Sequence, residues 1–206
     1  MSKAVLLSVQ PRWCEKIACD KKSVEVRKSK PKLNAPFKCY IYCTKDSKNK
    51  LYYSDYCGYD MMDFSKDFLA NGQVIGEFVC DRVYQYASDL FRSAPVEGTD
   101  ISTEEMERMS CLTAKELYEY EHSAEPQENC IYLVGVYGWH ISQLVIYDKP
   151  KKLDAFYKEG TLSCGDFEYK LYDGSGDPSR SSYASYLNTR AIRRAPQSWC
   201  YVEELT

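Results

Sequence analysis

Leu6 to Pro31, LLSVQPRWCEKIACDKKSVEVRKSKP, is the stretch that decides the fold. With Ala4 and Val5 it opens as an apolar run, AVLLSV, of strand character. Pro11 suits the first turn of a helix, where its missing N–H costs nothing. Trp13, Cys14, Ile17 and Ala18 follow at helical spacing, which predicts a helix over about 11–19. Asp20-Lys21-Lys22 reads as a turn. Ser23 to Lys28 then alternates, with Val24 and Val26 facing one way and Ser23, Glu25 and Arg27 the other, the period of a half-buried strand. Outward from there, Pro31 and Pro36 bracket a loop. Phe37 to Lys45 is a second alternating strand, with Phe37, Cys39, Ile41 and Cys43 on one face.

The rest of the chain continues in short pieces. Residues 45–72 lack periodicity and read as an insertion between strands, with a short helical turn near Met61–Leu69. Gln73 to Tyr86 is a long apolar strand, followed by a helical turn at Ser88–Phe91. Ser102/Glu105 and Thr113/Glu116 have the spacing of capping boxes, each with an apolar stripe behind it, and predict two short helices in 102–122. Ile131 to Tyr147 holds one or two strands, the second over Gly138–Tyr147. Asp148 and Pro150 open a helix that Gly160 ends. A hairpin is expected near Phe167–Tyr172, and Ser198 to Glu203 closes the chain as a strand. Short strands interrupted by short helices predict an α+β fold built round a small β-barrel, one domain over residues 1–206 with the insertion at about 45–72.

Composition narrows the class. At 206 residues, 44% hydrophobic and 28% charged, the chain is that of an ordinary globular protein. No apolar run reaches the roughly 18 to 20 residues of a membrane span. The N-terminus also lacks the apolar stretch of a secretory signal, so a cytoplasmic protein that does not enter the membrane is expected. The ten cysteines then read as free thiols in apolar strands, as at Cys39, Cys43, Cys80 and Cys200, rather than as a disulfide framework. No C-x-x-C pair occurs, and no metal or other cofactor is expected. Net charge is −3, but residues 1–50 carry 13 Lys/Arg against 4 Asp/Glu and residues 51–206 carry 14 against 26. A basic segment on an acidic protein points to a localised anion site or, equally, to a solvated lysine-rich surface.

Glu25 and Arg27 share a strand face and can pair, or Arg27 can offer its planar fork to a phosphate or a base edge. Lys22 lies at one end of this strand, Lys28 and Ser29 at the other, so the group can line one groove. The plainer alternative is a solvated strand with surface ion pairs. Glu77, between Ile75 and Val79, is a carboxylate either buried and paired, facing a cavity, or meeting solvent on a barrel exterior. Trp139, His140 and the run Gln197-Ser198-Trp199 offer flat faces and polar edges. Arg190, Arg193 and Arg194 add late positive charge beside them. The chain has no Walker loop, G-x-G-x-x-G, H-E-x-x-H or G-x-S-x-G.

Four segments in order, LLSVQPRWCEKIACDKKSVEVRKSKP, VIGEFVCDRV, YGWHIS and APQSWCYVE, resemble the ASCH domain family of the PUA-like superfamily, and more narrowly its phage- and prophage-associated bacterial members. The resemblance spans residues 4–44, about 72–86 and 137–203. It implies a PUA-like β-barrel with flanking helices and a cleft for RNA or a modified nucleotide. Carried onto this sequence, that cleft would use Lys22, Glu25, Arg27, Lys28 and Ser29, with Trp139, His140, Gln197, Ser198 and Trp199 as walls. Some small members are similar to amide hydrolases acting on acylated cytidine and others to ribonucleases. In the hydrolase motif Lys-x-x-Thr, Lys22 keeps the lysine, whereas Glu25 stands at the threonine. Three functions follow as expectations: an RNA- or nucleotide-binding module; a hydrolase on a nucleoside or RNA using Lys22 with Glu25 or Glu77; and a protein-interaction adaptor using the insertion and the acidic later helices.

Overall fold

The computed structural model of the chain describes residues 2–52, 69–88, 99–123, 135–158 and 190–205. Strands β1 (Lys3–Val9) and β3 (Phe37–Cys43) run parallel, Val5 beside Cys39 and Val9 beside Cys43. Helix α1 (Pro11–Ala18) and strand β2 (Val24–Arg27) lie between them in sequence. A parallel pair needs such a crossover, and the Leu6–Pro31 stretch provides it. Pro11 starts the helix, and Pro11, Cys14 and Ile17 form its buried stripe. Asp20 ends it in the left-handed region (φ 56), a conformation a short polar side chain tolerates. The Lys21 and Lys22 amides bond back to the Lys16 carbonyl at 2.8 and 3.1 Å, which brings Lys22 to the foot of β2.

Strand β4 (Gln73–Cys80) is antiparallel to β3, and β8 (Trp199–Glu203) is antiparallel to β1. With β7 (Ser142–Lys152) they form a five-stranded sheet in the order β7-β4-β3-β1-β8. A second sheet, β2-β6-β5, comprises β2, β6 (Val136–His140) and β5 (Val83–Tyr86). The two are linked by a bent ribbon, because β4 continues into β5 while β7 follows β6. The bend falls at Asp81–Arg82 and Ile141, where the His140 amide bonds to the Arg82 carbonyl (2.9 Å) and the Ile141 amide to the Ser23 carbonyl (2.8 Å). The single strand expected over 73–86 is therefore two. The α+β class expected is observed as two sheets with packed helices; among the described residues no ladder joins the free edges of the sheets, so the small barrel expected is not confirmed.

One core lies between the sheets, where Val5, Leu7, Ile41, Cys39 and α1's Ile17 meet Trp139 of β6. A second covers the other face of the large sheet, with Ala4, Leu6, Tyr40, Val74, Phe156 and Ile192. Burial on both faces explains why β1 reads as a continuous apolar run instead of alternating. Helices α2 (Thr103–Ser110) and α3 (Ala114–His122) pack Met106 and Leu117 onto Val24, Val26 and Val136 on the outer face of the small sheet. Ser102 caps α2 through the Glu105 amide, and Thr113 with Glu116 forms a full capping box on α3, matching the two expected helices.

Two expectations change. Residues 148–158 do not open the helix expected there: β7 runs on to Lys152, paired with Gln73, before one 3₁₀ turn at Leu153–Ala155, and Gly160, its expected end, lies outside the described residues. Pro150 is tolerated because β7 is an edge strand. The second strand begins after Ile141, not at Gly138, which sits mid-β6 where a Cβ would lie 2.9 Å from both Met106 Cε and Val24 Cγ1. Of the insertion, residues 53–68 lie outside the described residues, as do the helical turns expected near 61–69 and 88–91 and the hairpin near 167–172, apart from Ser88 and Leu69 themselves. The insertion's ends are pinned by a Tyr52–Leu69 bridge, with Leu51 and Ala70 in the inter-sheet core.

All seven described cysteines are free. Burial raises the thiol pKa of Cys14 and Cys39 well above the ordinary value and pushes Cys80 up to about 12, so these thiols are inert packing groups. Among the described residues no helix is long and apolar enough to cross a membrane. At Gly76 a Cβ would collide with the Val145 backbone carbonyl, which cannot swing away as a side chain can. Gly76→Ala should lower unfolding free energy by about 1–3 kcal/mol, the usual cost of overpacking. Urea denaturation of the purified variant measures it, and an unchanged midpoint would show that β4 and β7 are not packed at this distance.

Candidate functional site

Three charged side chains meet where α1, the turn at Asp20 and β2 come together. Glu25 is only 3% exposed and Lys22 only 2%. Glu25 Oε1 accepts from the Arg27 guanidinium at 2.6 Å, while Oε2 lies 3.4 Å from Lys22 Nζ. That second contact is a buried ion pair, and besides Lys22 Glu25 Oε2 has no donor among the described residues. Arg27 Nε likewise has no acceptor. Lys22 also donates to the Ser110 carbonyl at 2.6 Å, and the Ser23 amide takes the Met109 carbonyl at 2.9 Å. Both satisfy the open C-terminal end of α2, where a cation is favoured. Arg27 reaches the other way and donates to the Ser8 carbonyl of β1 at 2.7 Å. Glu25 thus joins both sheets and the helix pair.

This triad forms part of the wall of a cleft of about 820 Å³. Around it stand Trp13 of α1, Tyr120 of α3, and Gln197 and Ser198 at the head of β8. Ser8 secures that last wall, its Oγ donating to the Pro196 carbonyl at 2.6 Å and its amide to Ser198 at 2.9 Å. The Trp13 ring attracts three cations: the Arg12 guanidinium carbon at 4.4 Å from its centroid, and Lys16 and Lys22 Nζ at 5.0 Å each. Lys28 stands 5.5 Å over Tyr120. Burial pushes the Lys22 pKa below the ordinary lysine value, and Glu25 opposes that shift without cancelling it.

The cleft gathers Lys22, Glu25, Arg27, Lys28, Ser29, Gln197 and Ser198 from the two ends of the chain. It does not gather the rest. Trp139 is fully buried, edge-on to Phe37 at 5.6 Å and 5.9 Å from Trp199, so it is core rather than wall. Trp199 buttresses the cleft from behind, its Nε1 donating to Ser29 Oγ at 3.1 Å. His140 sits at the ribbon's bend, paired with Asp81 at 2.6 Å. Slight burial works against the Asp81 charge, but His140 outweighs it and holds that carboxyl below its usual range. Glu77 belongs to a different network on the large sheet, ion-paired to Lys38 at 3.2 Å and accepting from the Tyr147 hydroxyl at 2.6 Å, so it does not meet Lys22.

Trp13, Tyr120, Arg12 and the two helix acids Glu116 and Glu119 are cleft residues that sequence reasoning did not single out. Trp13 carried a usable signal, since Arg12 precedes it and Lys16 follows at i+3. The acids matter more. Arg12, Lys22, Arg27 and Lys28 face Glu25, Glu116 and Glu119, so the lining carries four cations against three anions. The strongly basic first fifty residues do not make a strongly basic cleft. Among the described residues no cluster of three or more His, Cys, Asp or Glu stands ready to hold a metal ion.

No family model matches the chain, and no curated protein matches it. Among solved structures it is similar to ASCH from Zymomonas mobilis, with 14% identity, a TM-score of 0.45, and 73% of this chain and 74% of that one covered. A serine-to-alanine mutant of that protein matches at 15% identity and TM-score 0.39, covering 73% and 75%. A tyrosine-to-phenylalanine mutant matches at 14% and 0.40, covering 93% and 100%. These are likenesses to ASCH domain structures, and no site residue is carried over from them.

Removing one partner from a buried ion pair strands the other charge. Glu25→Leu, which leaves both cations without their anion, should cost about 3–5 kcal/mol, and Lys22→Met/Glu25→Leu together less than Glu25→Leu alone. Chemical denaturation of Lys22→Met, Glu25→Leu and the double variant tests this; a double-variant loss equal to the sum of the two single losses would show that the pair is not coupled. The lowered Lys22 pKa adds a pH signature. Between its folded pKa and the unfolded value of about 10.4 the unfolded state binds the extra proton, so stability rises with pH across that window. The wild-type advantage over Lys22→Met should therefore grow from pH 7 to pH 10. A flat difference would mean that burial does not act on this amine.

Proposed function

We propose that this chain is an ASCH-type, PUA-like nucleotide-binding domain whose cleft receives one nucleotide of an RNA or a modified nucleotide. The observation that carries the reading is the lining of the cleft, where the flat faces of Trp13 and Tyr120 stand beside the polar side chains of Arg12, Lys28, Gln197 and Ser198. A nucleobase edge offers both an N–H donor and a carbonyl or ring-nitrogen acceptor, and its face stacks on an aromatic ring. The volume of about 820 Å³ suits a ligand of that size. A nearly balanced lining favours a single nucleotide over a long polyanion held by charge alone.

A second reading, a hydrolase acting on a modified nucleoside or on RNA, is favoured by one observation, the lowered pKa of Lys22 beside a carboxylate. The amine would polarise or deprotonate, and Glu25 would move the proton. The adaptor reading leans on an insertion of which residues 53–68 lie outside the described residues.

Titrating short RNAs and the four ribonucleoside monophosphates into the protein at low salt tests the binding reading. Trp13→Ala should weaken the complex by about 1–3 kcal/mol, the worth of one stacked base, while leaving the fold intact. If no RNA or nucleotide binds at low salt, the reading is wrong. Chromatography of acylated cytidine incubated with protein decides the hydrolytic reading: turnover should appear in the wild type and vanish in Lys22→Met.

A further inference from the structure

Resting on the cleft reading above, we propose that the loop leaving β2, residues 28–32, is a track for the single-stranded RNA that flanks the cleft nucleotide, with Tyr137 as a second base-stacking position. Lys28 and Ser29 line the cleft, so the loop starts at its wall and carries on outside it. Lys30 and Lys32 are exposed and lie beyond that lining. Two residues span at most about 7 Å, so Lys30 is the next cation along the loop for a strand leaving the cleft at Lys28.

The loop is laid against aromatic side chains. Lys28 Nζ stands 5.5 Å over Tyr120 and Lys30 Nζ 5.3 Å over Tyr137. Trp199 Nε1 donates to Ser29 Oγ at 3.1 Å, and the Lys32 amide donates to the Tyr201 hydroxyl at 2.6 Å. Pro31 between them is buried. These anchors set the loop before any ligand arrives, which lowers the ordering cost of binding. Tyr137 is placed by the ladder, where it pairs with the cleft residue Arg27 across β2 and β6. It packs against the inter-sheet core and is half-buried.

These lysines differ from the cations of the triad, which are committed to Glu25. Lys28, Lys30 and Lys32 make no ion pair among the described residues, and the run 28–36, KSKPKLNAP, holds no acid. A ring attracts an ammonium without cancelling its charge. Each lysine therefore keeps N–H donors for phosphate oxygens, and a base that stacks on Tyr137 moves Lys30 from the ring to the adjoining phosphate. Cations along the backbone beside rings that take bases are the two components of single-strand binding grooves.

The test titrates a 5′-fluorescein random-sequence RNA decamer, a fluorescein-labelled glutamate decamer and the four ribonucleoside monophosphates, across a salt series. The proteins are wild type, Lys30→Gln/Lys32→Gln and Tyr137→Leu. The RNA should bind wild type more tightly than any monophosphate, and more tightly than the peptide, which brings charge without bases. In the double variant RNA affinity should fall about tenfold at low salt, and the log–log salt slope should flatten by about 1.4, the loss of two single-strand phosphate contacts. Tyr137→Leu should weaken RNA binding at least about fivefold, one stacked base, with the slope unchanged. Monophosphate binding should hold in both variants. Both lysines are exposed, so the double variant keeps the fold. RNA affinity and slope unchanged in that variant would overturn the track, as would a peptide that binds as tightly as RNA or an equal loss of RNA and monophosphate binding. No loss in Tyr137→Leu would overturn the stacking position. In each case monophosphate binding by the wild type leaves the cleft reading standing, whereas a wild type that binds neither RNA nor monophosphate would overturn both.

Discussion

A carboxylate removed from water must be compensated, and the arrangement around Glu25 is organised by that demand. A buried anion without partners costs several kcal/mol, so its neighbours are committed to it before any ligand arrives. Arg27 answers from the same strand face, two residues on, at 2.6 Å; Lys22 answers from the preceding turn. Each cation carries the constraint further, Lys22 to the carbonyl end of α2 and Arg27 to the last residues of β1. One acid therefore ties the helical pair to the small sheet and the small sheet to the large one. The cleft is the space left where these elements meet, which is why its polar wall is rigid and largely dry.

Rigidity of that kind separates two jobs that the overall charge of the first fifty residues merges. Cations needed to neutralise Glu25 are spent inside the fold, and acids on α3 answer others at the rim, so the cleft retains little excess charge. What the cleft offers a ligand is therefore its aromatic faces and polar side chains more than net charge.

Legibility in the sequence followed the range of the interactions. The β1-α1-β2 crossover was readable because Pro11, the helical stripe and the Val24/Val26 alternation are local signals, and the capped helices α2 and α3 were readable for the same reason. Where a partner far along the chain decides, reading failed. Residues 148–152 look like a helix start until β4 captures them as the continuation of β7. The break at Asp81–Arg82 exists because a second ribbon bends with the first. Trp139 and Glu25 sit opposite each other on β6 and β2, yet one is core and the other cleft wall, a difference set by where the sheets diverge rather than by residue type. Trp13 failed the other way: on a helix stripe it reads as core, and it does pack there, but the first turn of α1 also borders the cleft.

Lys22 carries the choice between binding and hydrolysis. Burial lowers its pKa, which by itself favours a neutral, nucleophilic or basic amine. Its fixed contacts oppose this. The Ser110 carbonyl accepts an N–H at 2.6 Å, the helix C-terminus behind it favours a cation, and Glu25 Oε2 lies 3.4 Å away. Losing the proton would leave Glu25 with Arg27 as its one compensating cation in a site that water barely reaches. The amine also lies 5.0 Å from the Trp13 ring centroid, a further contact that favours its charged form. The same contacts that position Lys22 therefore weigh toward recognition, and a hydrolytic step would first require a ligand that takes over the charge of Glu25.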